Sequence, residues 1–196
     1  MRAWVVAGPA GSGKSTLGRA LAGATAAALL DLDSVTNPLL DALGPALSAD
    51  GHWNDDRLRA LVRPARYACL LATARDQVQA GVDLVLAAPF TAELQGGEEW
   101  RRLLAALAPV TPTVVWLDAS AAVRQQRMAS RGEARDVGRA AARAAAPQVP
   151  HVRLEATMPT ADQLELLLRS ADSGGCMGGG THGHRPPDEE ERSRQA

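Results

Sequence analysis

A glycine-rich segment near the start of the chain has the composition of a phosphate-binding loop. Residues 8–15 read GPAGSGKS and match G-x-x-x-x-G-K-[ST] at every fixed position, a match that arises by chance in roughly one chain in a thousand of this composition. Its three glycines leave backbone N–H groups open to a polyphosphate, because a Cβ atom would block that approach. The segment also opens a predicted helix, whose first N–H groups and positive dipole end favour an anion.

Lys14 is the only lysine among the 21 basic residues, and it stands where the motif requires an ammonium. We expect it to reach the β- and γ-phosphates of a nucleotide, with the Ser15 hydroxyl in the coordination of Mg²⁺ and Thr16 donating toward the α-phosphate. A glycine-rich turn without a ligand is the alternative, which the position of the single lysine disfavours. The predicted nucleotide-binding residues are Gly8, Pro9, Ala10, Gly11, Ser12, Gly13, Lys14, Ser15 and Thr16.

Apolar runs bounded by turn residues alternate with helical patterns along the chain. Buried strands are predicted at 3–7, 26–32, 82–88, 113–117 and 151–154, and helices at 15–22, 57–79, 98–107, 119–146 and 160–169. Pro64 is expected to start a new helix or to kink one, and residues 38–56 to form short helix and loop. This alternation predicts an α/β fold with about five parallel strands and helices on both faces of the sheet.

Length and composition exclude several classes of protein. The 196 residues suffice for one domain over residues 1–170, and the glycine-rich, charged composition of residues 171–196 predicts a disordered tail. A net charge of −1 argues against nucleic-acid binding dominated by phosphate neutralisation. Two cysteines cannot form a disulfide framework, and no apolar run suits a signal peptide or a membrane span. A cytoplasmic protein is therefore expected.

Two carboxylates stand at the end of the second predicted strand. Asp31 and Asp33 are two residues apart, at the carboxyl edge where ligands bind in an open α/β sheet. Both can therefore reach the mouth of a cleft beside the phosphate-binding loop. The alternative is that they only cap the following turn.

With the loop at 8–15, the DLD at 31–33 and the order of strands and helices, residues 1–170 resemble the small-molecule P-loop kinases of the shikimate, gluconate and adenylate kinase type, and their zeta-toxin-like and AAA-family ATPase relatives. The resemblance implies a P-loop NTPase three-layer sandwich with sheet order 2-3-1-4-5. It also implies a helical lid at about residues 120–145 and an acceptor region at about residues 37–67. By the same likeness, Asp31 faces Mg²⁺ through water and Asp33 orients or deprotonates the acceptor hydroxyl.

Four arginines form a ladder at helical spacing. Arg124, Arg127, Arg131 and Arg135 follow one another at intervals of three, four and four, which keeps them near one helical face. The resemblance is to the lid of these kinases, which implies that Arg127 and Arg131 neutralise the transferring phosphoryl group. A solvated helix in an arginine-rich protein is the alternative.

The acceptor region contains a second arginine pair. Arg63 and Arg66 are three residues apart on one helical face and suit a clamp for an anionic substrate; ordinary surface positions are the alternative. The loop at 88–93 lacks the glycines that shikimate kinases have there, and the acceptor motifs of gluconate kinases are not found. Neither named substrate is therefore favoured.

Several other reactive or polar side chains are expected to be structural. VVWLD at 114–118 mimics a Walker B strand that ends in an aspartate, but Asp118 directly precedes the helix that begins near Ser120 and is expected to cap it. Cys69 lies in an apolar helical run and is expected in the core. Cys176, His182 and His184 fall in the predicted tail, where no catalytic role is expected.

The leading hypothesis is an ATP- and Mg²⁺-dependent kinase that phosphorylates a hydroxyl group of a small molecule, with Lys14, Asp33, Arg127 and Arg131 as catalytic residues. In that scheme Asp33, Arg63 and Arg66 bind the substrate, and Ser15 and Asp31 bind the metal. A nucleotide-dependent switch with little turnover and a nucleotide or nucleotide-sugar kinase are the alternatives. The expected partners are ATP and the hydroxyl acceptor, with no membrane and no nucleic acid, and the chain is expected to be a monomer or a homodimer.

Overall fold

The computed structural model describes residues 1–47, 56–131 and 145–173, and strands alternate with helices there, except that two helices lie between the second and third strands. The strands are β1 Ala3–Ala7, β2 Ala28–Asp31, β3 Leu84–Ala87, β4 Thr113–Asp118 and β5 Val152–Glu155. The helices are α1 Lys14–Thr25, α2 Leu32–Leu47, α3 Asp56–Gln79, α4 Glu98–Leu107, α5 Ala121–Arg131 and α6 Thr160–Ser173, with a 3-10 turn at Glu93–Gln95.

The five strands form one parallel sheet in the order β2-β3-β1-β4-β5. The predicted fold class and strand order are confirmed. In the register, Asp31 lies opposite Ala87, and Ala7 opposite Trp116. The carboxyl ends of β2, β3, β1 and β4 therefore meet at one edge, which is the edge where open α/β sheets bind ligands.

Helices cover both faces of the sheet. On one face, Leu70 of α3 and Leu103 of α4 pack against the strands, and on the other face Leu17 of α1 and Leu167 of α6 do so. All four leucines are at most 1% exposed, and each such burial contributes about 1.5–3 kcal/mol. These two apolar layers hold the sheet in place and thereby fix the positions of the loops at its carboxyl edge.

Helix α2 differs from its prediction. The second strand was expected to run to residue 32 and residues 38–56 to form short helix and loop, but α2 is continuous through Pro38 and Pro45. The two prolines are seven residues apart, and both are exposed, so they lie on the solvent side of the helix. Water can satisfy the carbonyl groups that lose a helical hydrogen bond there.

Two other helical predictions are adjusted. Pro64 neither starts nor ends a helix, because α3 runs from Asp56 to Gln79. The helix predicted over 119–146 does not reach residue 146, since residues 145–150 are not helical and Gln148 N donates instead to the carbonyl of Leu94. Residues 132–144, which include most of the predicted lid, and the tail residues 174–196 lie outside the described part of the chain.

Two expected structural roles are wrong. Ser120, not Asp118, caps α5, because its Oγ accepts a hydrogen bond from the Val123 N–H at 3.3 Å. The Asp118 carboxylate instead accepts from Arg153 at 2.5 Å. Cys69 is exposed, because the buried face of α3 carries Leu70 and Ala74.

Candidate nucleotide and acceptor site

The loop between β1 and α1 adopts backbone conformations that require glycine. Gly11 and Gly13 have φ angles of 77° and 100°. A Cβ atom on Gly11 would lie 2.9 Å from the carbonyl oxygen of Arg124, closer than real contacts allow. Helix α5 can therefore approach the loop only because Gly11 has no side chain.

Helix α1 begins at the end of this loop with its N-terminal amides uncapped. Gly13 occupies the N-cap position, and no side chain of the described residues caps it. Its carbonyl accepts from the N–H groups of Thr16 and Leu17. The N–H groups of Gly13, Lys14 and Ser15 come before these first helical hydrogen bonds, so they and the helix dipole favour an anion at this point.

The Ser12 hydroxyl is a buried polar group inside the loop. Ser12 is 1% exposed, and its Oγ has no hydrogen-bond partner among the described residues. Buried hydroxyl groups in proteins are nearly always hydrogen-bonded. The orphaned atom therefore fits a loop whose hydrogen bonds are completed by a polar ligand.

Lys14 places its ammonium across the loop. Its Nζ donates to the carbonyl oxygen of Pro9 at 2.8 Å, and the side chain is half-buried. Since Pro9 lies near the start of the loop and Lys14 at its end, the positive charge is held over the segment that a phosphate chain would follow.

Ser15 and the two aspartates of the DLD segment are joined directly. The Ser15 hydroxyl donates to Asp31 Oδ2 at 2.6 Å, and the Asp33 N–H donates to Asp31 Oδ1 at 2.9 Å. The structure thus brings together the two residues predicted to bind the metal, and places Asp33 beside them. The Asp31 carboxylate thereby accepts a hydrogen bond from an N–H group in the first turn of α2. Asp31 therefore caps this helix and also lies beside Ser15 at the cleft.

Arg66 of α3 faces Asp33 across the cleft. Its Nη2 donates to Asp33 Oδ1 at 2.5 Å and to Asn37 Oδ1 at 2.8 Å, while its Nε donates to Thr36 Oγ1 at 2.8 Å. The Arg66 side chain is 13% exposed and the Asp33 side chain 52%. Asp33 therefore presents a carboxylate to the cleft while a largely buried guanidinium fixes its position.

The predicted clamp partner, Arg63, points elsewhere. Its Nη2 lies 3.1 Å from Oε2 of Glu93, which is 2% exposed, and its guanidinium stacks over the Tyr67 ring at 4.6 Å. Arg63 and Arg66 thus contact different carboxylates of the chain. Burial raises the pKa of the Glu93 carboxyl above its ordinary value, and the Arg63 charge opposes this shift only in part.

Tyr67 supports the backbone after β3. Phe90 has a φ of 49°, a region that bulky residues rarely adopt. Its N–H donates to the Tyr67 hydroxyl at 3.0 Å, and the two rings meet edge to face with centroids 5.7 Å apart. Burial and the nearby Glu93 charge raise the pKa of the Tyr67 hydroxyl far above its ordinary value, so this group stays protonated.

The arginine ladder packs against the loop in the part that the structure describes. Arg124 is 5% exposed. Arg127 Nη1 donates to the carbonyl oxygen of Ser12 at 3.2 Å and to that of Gly11 at 3.5 Å, and its Nη2 donates to the carbonyl oxygen of Ala156 at 2.7 Å. Arg131 ends α5, and Arg135 lies outside the described residues.

A groove opens beside the loop, over the carboxyl ends of β4 and β5. Its volume is about 780 Å³, and it is lined by Pro9, Trp116, Asp118, Arg124, His151, Arg153 and Glu155 among others. Arg153 pairs with both acidic side chains of this lining. The volume is in the range of sites for small molecules.

Sequence reasoning missed three contributors to the site. Thr36 and the carbonyl of Ala156 each hold an arginine, and Glu93 neutralises Arg63. For Thr36 a signal existed, since it stands three residues after Asp33 and shares its face once α2 begins at residue 32. For the other two, the partners are 29 or more residues apart, and no local pattern connects them.

Among the described residues, no group of three His, Cys, Asp or Glu side chains could hold a metal ion. Mg²⁺ at nucleotide sites takes one or two protein ligands and completes its shell with water and phosphate oxygens, so the Ser15 and Asp31 pair fits this ion. None of the described helices is long and apolar enough to span a membrane.

Comparisons with known proteins agree with this architecture. The profile of the AAA domain family matches residues 4–163, and no curated protein matches the chain. A protein from Chloroflexus aurantiacus assigned as a kinase superposes with a TM-score of 0.66 at 23% identity, covering 86% of this chain and 97% of its own. A gluconokinase from Sinorhizobium meliloti gives 0.56 at 20% identity, with 89% and 95% coverage. A shikimate kinase from Aquifex aeolicus gives 0.50 at 16% identity, with 91% and 100% coverage. The predicted P-loop kinase fold is confirmed.

Proposed function

The chain belongs to the AAA domain family, and on that premise we propose that it is an ATP-dependent kinase that transfers the γ-phosphoryl group to a hydroxyl group of a small molecule. The observation that carries the proposal is a continuous line of contacts along the sheet edge. It runs from the helix start at Ser15 through Asp31 to Asp33 and Arg66. A phosphate-binding loop and a candidate base are thereby held in one rigid arrangement.

The loop would bind the triphosphate through its backbone. Residues 8 and 10–16 would provide the N–H groups of the loop and of the first turn of α1, and Lys14 would move from the Pro9 carbonyl to the β- and γ-phosphate oxygens. A hydrogen bond to a charged phosphate is stronger than one to a neutral carbonyl. The charge that develops on the transferring group would be stabilised at the same place.

Ser15 and Asp31 would hold Mg²⁺, which when bound neutralises charge on the phosphates. The Ser15 hydroxyl and the Asp31 carboxylate already lie at hydrogen-bond distance. The donor set is one carboxylate and one hydroxyl, both of them oxygen ligands that this ion prefers.

Asp33 would act on the acceptor. Its carboxylate is the exposed one of the pair and would take the proton of the attacking hydroxyl as the oxygen–phosphorus bond forms, while ADP leaves with the bonding electron pair. Arg66 would hold this carboxylate in position through its hydrogen bond to Oδ1. Arg63 and Arg66 remain candidates for substrate contacts. In the structure, Arg63 is paired with Glu93 and Arg66 with Asp33.

Closure over the site is assigned to residues 120–145, and the described part of this segment includes α5, which ends at Arg131. Exclusion of water would protect the γ-phosphoryl group from hydrolysis. We place the reaction in the cytoplasm, where ATP is abundant and the exposed thiol of Cys69 stays reduced.

The proposal is tested by phosphoryl transfer to a defined panel. Purified protein is incubated with MgATP and sugars, polyols, cyclitols, aminoglycosides, sugar acids and nucleosides, while ADP release and phosphomonoester formation by ³¹P NMR are measured. We expect equal amounts of ADP and phosphomonoester with at least one acceptor. Asp33→Asn should slow the formation of both by about 10²-fold, and Asp41→Asn, at an exposed position of the same helix, should not.

Two outcomes would overturn the proposal. Folded protein that binds MgATP but forms no phosphomonoester with any acceptor would favour a nucleotide-dependent switch. Folded protein that binds no magnesium nucleotide in calorimetry would remove the enzymatic interpretation altogether.

A further inference from the structure

Arg127 makes all of its described hydrogen bonds to backbone carbonyl groups. Two of these belong to the phosphate-binding loop, at Gly11 and Ser12, and the third belongs to Ala156 in the segment after β5. The side chain is half-buried. The guanidinium thus connects α5, the loop and the segment that leads into α6.

The contacts of Arg127 with the Gly11 and Ser12 carbonyls also fix the direction of the neighbouring N–H groups of the loop. In a trans peptide, the C=O and the following N–H point in opposite directions. Because the Ser12 carbonyl points at Arg127, the N–H of Gly13 points away from Arg127. The Ser12 N–H, which follows the Gly11 carbonyl, donates to Pro9 at 3.2 Å and closes the turn.

The positive charge adds to this orientation. A cation bonded to a peptide oxygen polarises that peptide, which makes its N–H a stronger donor to an anion. Helix α5 also approaches the loop closely at Gly11, where a Cβ atom would meet the Arg124 backbone. The loop is therefore held from outside by α5 at two adjacent residues.

We propose that Arg127 is a positioning residue that fixes the peptide groups of the phosphate-binding loop in the orientation that binds phosphate. The inference rests on the proposed nucleotide site. In it, Arg127 affects phosphate binding indirectly, by orienting the loop that contacts the ligand. A direct contact of Arg127 with the transferring phosphoryl group predicts something different, because it would alter turnover and leave nucleotide affinity unchanged.

The first experiment measures affinity for three ligands that share phosphates but differ otherwise. MgATP, MgADP and inorganic tripolyphosphate with Mg²⁺ are titrated calorimetrically into the wild-type chain, Arg127→Gln and Arg127→Lys. We expect both variants to weaken all three ligands by a similar factor of about 10, because an ammonium cannot replace a planar fork that bonds three carbonyls. Arg101→Gln removes the same charge at an exposed position of α4 and should change nothing.

The second experiment needs no ligand. Hydrogen exchange of the peptide that covers residues 8–16 is measured in the ligand-free proteins, with thermal denaturation as a check of folding. We expect faster exchange of this peptide in Arg127→Gln than in the wild-type chain and in Arg101→Gln, at equal exchange of the β1 and β3 strands.

The outcomes are distinct. Weaker MgATP with unchanged tripolyphosphate would overturn the proposal in favour of a contact with the base, and a loss of turnover with unchanged affinities would do so in favour of a transition-state contact. Unchanged exchange of residues 8–16 would also overturn it. A wild-type chain that binds none of the three ligands refutes the nucleotide site itself, and the exchange experiment then still decides whether Arg127 orders the loop.

Discussion

The two halves of the proposed site, one for the nucleotide and one for the acceptor, are built in different ways. The nucleotide half is a contiguous segment, residues 8–16, whose binding groups are mostly backbone amides released by glycine. The acceptor half consists of side-chain ion pairs between distant residues, Asp33 with Arg66 and Glu93 with Arg63. Backbone amides can bind the phosphate chain of any nucleotide. Paired side chains, in contrast, can be replaced by single substitutions that change which acceptor is bound. The comparison suggests a fixed donor half and an adjustable acceptor half.

The largest effect should come from the one charged side chain of the nucleotide half. Lys14→Ala is expected to lower kcat by about 10³-fold, because several kcal/mol of transition-state stabilisation are lost. Lys14→Arg should not restore activity, since a planar fork cannot replace a compact ammonium in a tight loop. Steady-state kinetics measure this, with the exposed Arg19→Ala on the same helix as the control. Unfolding of either Lys14 variant would contradict it.

The next effect should separate the halves. Asp33→Asn is expected to lower kcat by about 10²-fold, within the range of general-base catalysis, while the Kd of MgATP stays the same. Turnover assays and calorimetry on the same preparation measure the two quantities. If ATP affinity falls together with kcat, then Asp33 belongs to the nucleotide half and the division of the site is wrong.

A smaller effect should appear in stability. Tyr67→Phe leaves the buried Phe90 N–H without its acceptor, which should lower the free energy of unfolding by about 1–3 kcal/mol. Chemical denaturation measures the change, and Cys69→Ser, at an exposed position of the same helix, should be neutral. Because the loss concerns the acceptor half, MgADP affinity of the folded variant should equal that of the wild-type chain; a weaker MgADP complex would show that the halves are coupled.

The smallest effect concerns pH. The pKa of Glu93 is raised in the folded chain above its ordinary value of 4.5, so the folded state binds this proton more tightly than the unfolded state. Its contribution to stability is therefore greatest at low pH and is lost as pH rises from about 4.5 through the raised value. The stability of the wild-type chain minus that of Glu93→Gln should fall over this window in denaturation curves. A difference that rises with pH would mean that Arg63 outweighs burial.

Sequence reasoning could predict the candidate nucleotide half because its groups are neighbours in the chain. The motif fixes both residue types and spacing over residues 8–15, and the alternation of apolar runs predicted the sheet that presents it. The strand order came from family resemblance, which the loop and the DLD segment carried.

The acceptor half could be located only in part, for physical reasons. Arg63 and Arg66 share a helical face, yet a difference of one turn directs one to Glu93 and the other to Asp33. Those partners are 30 and 33 residues away, so the pairing depends on how α3 packs rather than on spacing. The continuity of α2 through its prolines depended likewise on which side of the helix faces water.

The absence of any connecting loop between β2 and α2 has a consequence for how such proteins can diverge. Asp31 is the last residue of the strand and Leu32 the first of the helix, so strand and helix act as one stiff lever on which both carboxylates are mounted. One inserted residue after Leu32 would turn Asp33 by about 100° around the helix axis and advance it by about 1.5 Å, away from Arg66. Insertions and deletions among relatives should therefore avoid this junction. They should accumulate beyond the end of α2, where they leave the positions of both carboxylates unchanged.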